Sequence, residues 1–280
     1  MIQSVAVTGD WIQAAAVLSG VLLVLWRGTR AVDDGALRCW EERFCIRLPD
    51  DLRAEAARRL RRDRALRATA IAGGLLAGSS PAYMNLIDAE RSSDLANPAT
   101  QQAWLWAAAF GALVAEMLVS HRPTVARSAA VARRRVRDYI SLRWVWTTVA
   151  LAALAFVAAS AASVSDAPGK GWWWVHAVGA LLAVTATGYG LRVVRDRAMT
   201  APHGPRRDLD ESLRADGAHH LVGASIALAA ASAAGGLWLV FDSAPIIGLI
   251  AQLVAAMALG WWWTLARDVR WSVRARRLAA

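Results

Sequence analysis

RAEAARRLRRDRALR, residues Arg53–Arg67, places seven arginines in fifteen residues and runs directly into an apolar segment that begins at Ala68. Guanidinium groups at that density cross a bilayer only at high cost, so the block fixes the side of the membrane on which it stays. The orientation of every other apolar segment then follows by alternation.

Upstream lies Trp11–Trp26 (WIQAAAVLSGVLLVLW), followed at once by Arg27 and Arg30. It is short for a hydrocarbon core of roughly 30 Å, though Val5–Val7 extend it. A neutral head and a basic tail place the N-terminus outside. The first ten residues carry no basic region and no small-residue cleavage site, so no cleaved signal peptide is expected. Downstream the apolar segments are 68–87, 103–120, 144–164, 172–191, 221–241 and 244–266. Each has about 18 to 23 residues, the length of a spanning helix. The expected fold is all-α: one integral membrane domain over residues 1–280, a polytopic transmembrane helix bundle of seven spans.

The loops test this alternation. Loop 27–67 holds twelve basic residues, loop 122–143 seven, loop 192–214 six and tail 267–277 five. Only Arg91 and Lys170 lie in the alternate loops, so thirty of the thirty-two basic residues fall on one face. That face is expected to be cytoplasmic, with the C-terminus there and the protein in a bacterial plasma (inner) membrane. The same distribution accounts for a net charge of +10 and a pI near 11.1 without nucleic acid. Tryptophans at the segment ends, among them Trp104, Trp106, Trp144, Trp146 and Trp172–Trp174, read as interfacial belts. A mean hydropathy of +0.32 with 56% hydrophobic residues belongs to the membrane class. Thirty-one of the basic residues are arginine, a usage typical of GC-rich, actinobacterial genomes.

Arg67, Arg143 and His219 recur at 76-residue intervals, each before a segment entering from the basic face, with Pro49, Pro123 and Pro205 upstream. The chain therefore reads as one helix plus three helical hairpins, a pattern that shared topology explains as well as duplication. Loop 27–67 contains an amphipathic helix, Asp50–Leu66, with Asp50 and Asp51 at its start and an apolar stripe of Leu52, Ala56 and Leu60. Such a helix is suited to lie on the inner leaflet with Arg58, Arg59, Arg61 and Arg62 at anionic headgroups. Arg133, Arg134 and Arg135 are suited to the same contact. The third loop, where Asp208, Asp210, Glu211 and Asp216 offset the arginines, suits docking of a protein better than of lipid, though for all three loops topology signals with solvated faces are the preferred reading.

Ionisable groups within spans are expensive to bury and are the first candidates for chemistry. Glu116 reads either as a proton or cation ligand facing the bundle interior or as a carboxylate paired with a loop arginine, the pairing being preferred. Glu116, Gln252 and Asn85 together would line a polar path. Asn85, with Tyr83 and Pro81, marks an irregular helix end, and Gln252 suits a bond between helices. His176 is the one histidine inside a span and cannot alone provide a bis-histidine haem site. His219 and His220 adjoin the inner interface, where a helix-entry role is preferred to pH sensing. Gly74 and Gly78 form GxxxG, which permits close helix approach. Cys39 and Cys45 are expected as free thiols.

Known membrane-enzyme signatures are missing. The seven-span plan resembles microbial rhodopsins, but the seventh segment has no lysine for a retinal Schiff base. Glu41 and Glu42 resemble the start of the EExxxR motif of CAAX-type proteases, yet position 46 is Ile and Arg47 is one residue too far. Asp34-Gly35 resembles the opening of CDP-alcohol phosphotransferases without the downstream aspartates, and Gly78-Ser79-Ser80-Pro81 is not the rhomboid GxSG. There is no HExxH, Walker A or dinucleotide fingerprint. The chain resembles uncharacterised multi-pass inner-membrane proteins of high-GC bacteria. The expectation is a non-catalytic membrane protein with no cofactor and no metal, an accessory or permease-like subunit docking a membrane or cytoplasmic protein through its basic loops. The alternatives are a small transporter or channel and an intramembrane enzyme of unrecognised type.

Overall fold

Long runs of alanine and leucine favour helix throughout, with proline kept to the helix starts and several interior glycines held by packing. The computed structural model describes residues 2–79, 98–121, 135–164, 173–197 and 204–241, and beyond them positions 246, 250, 253, 254, 257 and 258. Seven α-helices are described: α1 Ile2–Thr29, α2 Asp34–Phe44, α3 Asp50–Gly78, α4 Pro98–Ser120, α5 Leu142–Ser163, α6 Trp173–Asp196 and α7 Pro205–Val240. A 3-10 turn, Val136–Asp138, precedes α5, and the described residues contain no strand. Helices α4 to α7 are each long and apolar enough to cross a membrane.

The organising element is α7, whose residues Leu221–Gly236 are all buried. A helix apolar on every side needs neighbours on every side. It has them in α4, α5 and α6, while α3 packs on α4 and α1 on α3. The interior of this bundle is rich in small side chains, among them Ala112, Ala155, Ala183, Ala227 and Ala231, with Leu221, Ile226 and Leu228 of α7 between them. Large apolar side chains such as Leu22, Trp146, Phe156, Val157 and Leu181 face outward. That is the reverse of a water-soluble domain, where large apolar groups are the most buried. In lipid, tails solvate the large groups and small residues let helix axes approach.

The α3–α4 crossing shows how close that approach is. A Cβ at Gly74 would lie 2.2 Å from the Ala107 carbonyl oxygen, one at Gly78 3.0 Å from that of Ala103, and one at Gly111 2.3 Å from that of Ala70. Each step of four residues along α3 is matched by four in the opposite direction along α4, so the two are antiparallel in fixed register. The α6–α7 pair behaves likewise: Gly190 meets Leu221, Gly179 meets Ser232, and His176 meets Gly235. At the far end of α1, Gly28 packs on Ala68 and the backbone of Arg64. The arginine-bearing ends of α1, α3, α6 and α7 thus gather at one end of the bundle, where α4 brings Glu116.

The expected segments and the helices differ in extent. Two polar stretches read as separate cytoplasmic helices continue unbroken into the apolar segments, giving a 29-residue α3 and a 36-residue α7. At 1.5 Å per residue α7 is about 54 Å long, well beyond a bilayer core. Proline at the first position of α7, after Gly204 in the left-handed region, starts it. The second unit differs, because the chain turns through Val136–Asp138 and restarts a helix after extended Ser141. The stripe of Leu52, Ala56 and Leu60 is buried in one cluster with Leu37, Trp40 and Phe44 of α2 and Leu209 of α7. It therefore meets protein, which corrects the expectation of a helix lying flat with this stripe on the leaflet.

Candidate functional site

Arg67 closes the arginine block at the point where α3 becomes apolar. One turn beyond the Ala70–Gly111 contact, the antiparallel register brings it against Glu116 of α4. Arg67 Nε donates to Glu116 Oε1 at 2.6 Å and Nη2 donates to Oε2 at 3.0 Å. The Glu116 side chain is 0% exposed and that of Arg67 8%. Two parallel charge-assisted bonds are the strongest arrangement open to such a pair.

The third wall comes from α7. Asp216 and His220 stand four residues apart on one face of it. Arg67 Nη1 lies 3.8 Å from Asp216 Oδ2. The His220 ring sits between the two carboxylates, Nδ1 3.9 Å from Glu116 Oε1 and Nε2 3.7 Å from Asp216 Oδ2. Next to it, buried His219 has Nδ1 2.7 Å from the Ala215 carbonyl oxygen, so that nitrogen carries the proton. One arginine, two carboxylates and one imidazole from three helices thus share a largely buried site, open to solvent mainly at the His220 ring. Arg64, one turn earlier on α3, is half-buried. Burial pulls its guanidinium below the ordinary arginine range, and the Asp216 carboxylate opposes that.

A second buried pair stands nearer the start of α7. Arg214 Nη2 donates to Asp210 Oδ2 at 2.8 Å, and Arg214 Nη1 donates to the Arg197 carbonyl oxygen at 2.6 Å. An arginine is suited to the carbonyl end of a helix, and this one ties α7 to the end of α6. At the other end of the bundle, Trp106 Nε1 donates to Ser232 Oγ at 3.1 Å. The His176 ring fills the space a Cβ at Gly235 would need.

Glu116 is placed as a residue paired with arginine. Asn85 and Gln252 lie outside the described residues, as do Arg133 and Arg134. Arg58, Arg61 and Arg62 are exposed on the outer face of α3, and Arg59 pairs with Glu55. Glu55 in turn reaches Arg206 of α7 at 3.4 Å. Arg135 is exposed, and its backbone N–H donates to Asp138 Oδ2 at 2.9 Å. Cys39 and Cys45 are free and exposed.

No family model, no curated protein and no solved structure matches this chain. The site therefore has to be read from its own geometry. Of the four acids of the third loop, Asp210 and Asp216 are buried, Asp210 against Arg214, while Asp208 and Glu211 are half-exposed. Sequence reasoning also took Arg67 only as a topology signal and missed it as the partner of Glu116. The spacing of Asp210 to Arg214 and of Asp216 to His220, four residues each, was the available signal.

Proposed function

We propose that this protein is a multi-pass component of a bacterial plasma membrane, with seven spans, the N-terminus outside and the C-terminus in the cytoplasm. In this reading it catalyses no reaction and serves as an accessory subunit that docks a protein partner on its basic cytoplasmic surface. The observation that carries the reading is the bidentate use of Glu116. Both oxygens of the one carboxylate read within the spans are taken by Arg67, which locks α3 to α4 and leaves that carboxylate committed to structure.

Two further features support it. The arginine-rich turns of α3 continue without a break into its apolar turns, which pack on α1 and α4, so Arg58, Arg61 and Arg62 stand on a rigid extension of the bundle. Arginine is well suited to such a surface, because its planar fork pairs with carboxylates and phosphates without losing its charge. The gathering of basic helix ends at one end of the bundle agrees with the loop charges that assign that end to the cytoplasm. Anionic headgroups of the inner leaflet would neutralise those arginines nearest the membrane, Arg27 and Arg30 among them.

Co-purification in mild detergent tests the reading. A tagged chain is expected to retain a stoichiometric protein partner, and Arg58→Gln, Arg61→Gln and Arg62→Gln together are expected to release it. A wild-type chain that always emerges alone would overturn it.

A further inference from the structure

One carboxylate of the buried ionic site goes without a hydrogen bond from its arginine. Arg67 gives its two good hydrogen bonds to Glu116, and what it offers Asp216 is a separation of 3.8 Å. Among the described residues Asp216 accepts no hydrogen bond, although its side chain is only 8% exposed. A buried carboxylate without donors is among the costliest arrangements in a protein, and a proton on it removes most of that cost. The nearest other group is His220, whose Nε2 is 3.7 Å from the same Oδ2. Its opposite nitrogen faces Glu116, so an imidazolium there would stand between two negative charges.

We propose that Asp216 and His220 together form a binding site for a single exchangeable proton, held at the inner end of the bundle by the Arg67–Glu116 pair. The proton comes from cytoplasmic water as hydronium and leaves the same way. It resides on Asp216 Oδ2 as a carboxylic acid, with His220 Nε2 3.7 Å away setting how tightly it is held, and no other bond forms or breaks.

The groups facing the pair set the balance. From α3 these are Asp63, Arg64 and Arg67, from α2 Arg43, from α4 Glu116, and from α7 itself His219. Arg43, Arg64 and Arg67 oppose the added proton, while Glu116 and Asp63 favour it. These groups sum to three arginines against three carboxylates, but of the arginines it is Arg67 that comes within 4 Å of Asp216, and it gives its hydrogen bonds to Glu116. The other helices around α7 add apolar, glycine or threonine side chains where they are buried: Ala152 and Ala155 of α5, for example, and Ala183 and Thr187 of α6. The half-buried Asp63 and Arg64 lead from the site toward the polar end of α3.

Infrared difference spectroscopy of the full chain in lipid nanodiscs tests the site. Between acid and alkaline buffer the wild type is expected to lose one carboxylic C=O stretching band in a single step, and the band is expected to shift in D2O. Asp216→Asn is expected to remove that band. His220→Gln leaves Asp216 in place and is expected to move its midpoint by about one pH unit, a tenfold change in proton affinity. A wild type with no such band, a band that survives in Asp216→Asn, or a midpoint that stays put in His220→Gln would each overturn the proposal. The wild-type and His220→Gln measurements decide the matter even if Asp216→Asn fails to fold.

Discussion

Arg67 and Glu116, forty-nine residues apart in the chain, meet through two hydrogen bonds of 2.6 and 3.0 Å inside the contact between α3 and α4. Their helices approach so closely at Ala70, Gly74, Ala107 and Gly111 that the two charged side chains are brought face to face, with Asp216 and His220 of α7 at longer range.

Breaking the pair from one side strands the other charge. Glu116→Gln and Arg67→Met are each expected to destabilise the protein by about 3–5 kcal/mol, the range for removing one partner of a buried ion pair. Glu116→Leu combined with Arg67→Leu is expected to cost clearly less than the sum of the two single leucine changes. A double-mutant cycle of thermal unfolding in detergent measures this coupling. Additive effects would show that the pair is not an energetic unit.

The helix crossing has its own signature. Gly111→Ala places a methyl group 2.3 Å from the Ala70 carbonyl oxygen and is expected to lower the melting temperature sharply. Gly73→Ala lies one residue from the crossing, where a Cβ meets nothing within 4 Å. There the better helix former is expected to stabilise by about 0.5–1 kcal/mol. Melting curves of the two variants should therefore move in opposite directions.

Arg214 ties two helices with one side chain. Arg214→Ala leaves Asp210 buried without its cation and frees the Arg197 carbonyl at the end of α6. The loss is expected to be about 3–5 kcal/mol. Increased proteolysis at the connection between α6 and α7, residues 198–203, would report the lost tether. The Asp210→Asn/Arg214→Gln double change should recover part of the stability, since amides can replace the ion pair with a neutral hydrogen bond.

Sidedness is open to direct labelling. In a chain whose Cys39 and Cys45 are replaced by serine, Arg91→Cys and Arg135→Cys are expected to react with an impermeant maleimide from opposite sides of the membrane. Labelling of both from the same compartment would bring down the seven-span arrangement and with it the assignment of the basic end to the cytoplasm.

The sequence by itself determined the class of protein, because helix length and charge placement are local properties. Eighteen apolar residues in a helix are long enough to cross a bilayer wherever they occur, and the arginine density of Arg53–Arg67 disfavours its entry whatever the rest of the chain does. Residue spacing was also enough to mark Leu52, Ala56 and Leu60 as one face, and Gly74 with Gly78 as a place of close approach. What covers that face, and which charge meets which, were decided only by tertiary structure. Alanine on all sides of α7 hides which way the helix looks, so Asp216 read as a loop acid until α3 and α4 closed over it. The partner of Glu116 was fixed by the register of two antiparallel helices. That register depends on backbone contact at glycines many residues away, which no local pattern encodes.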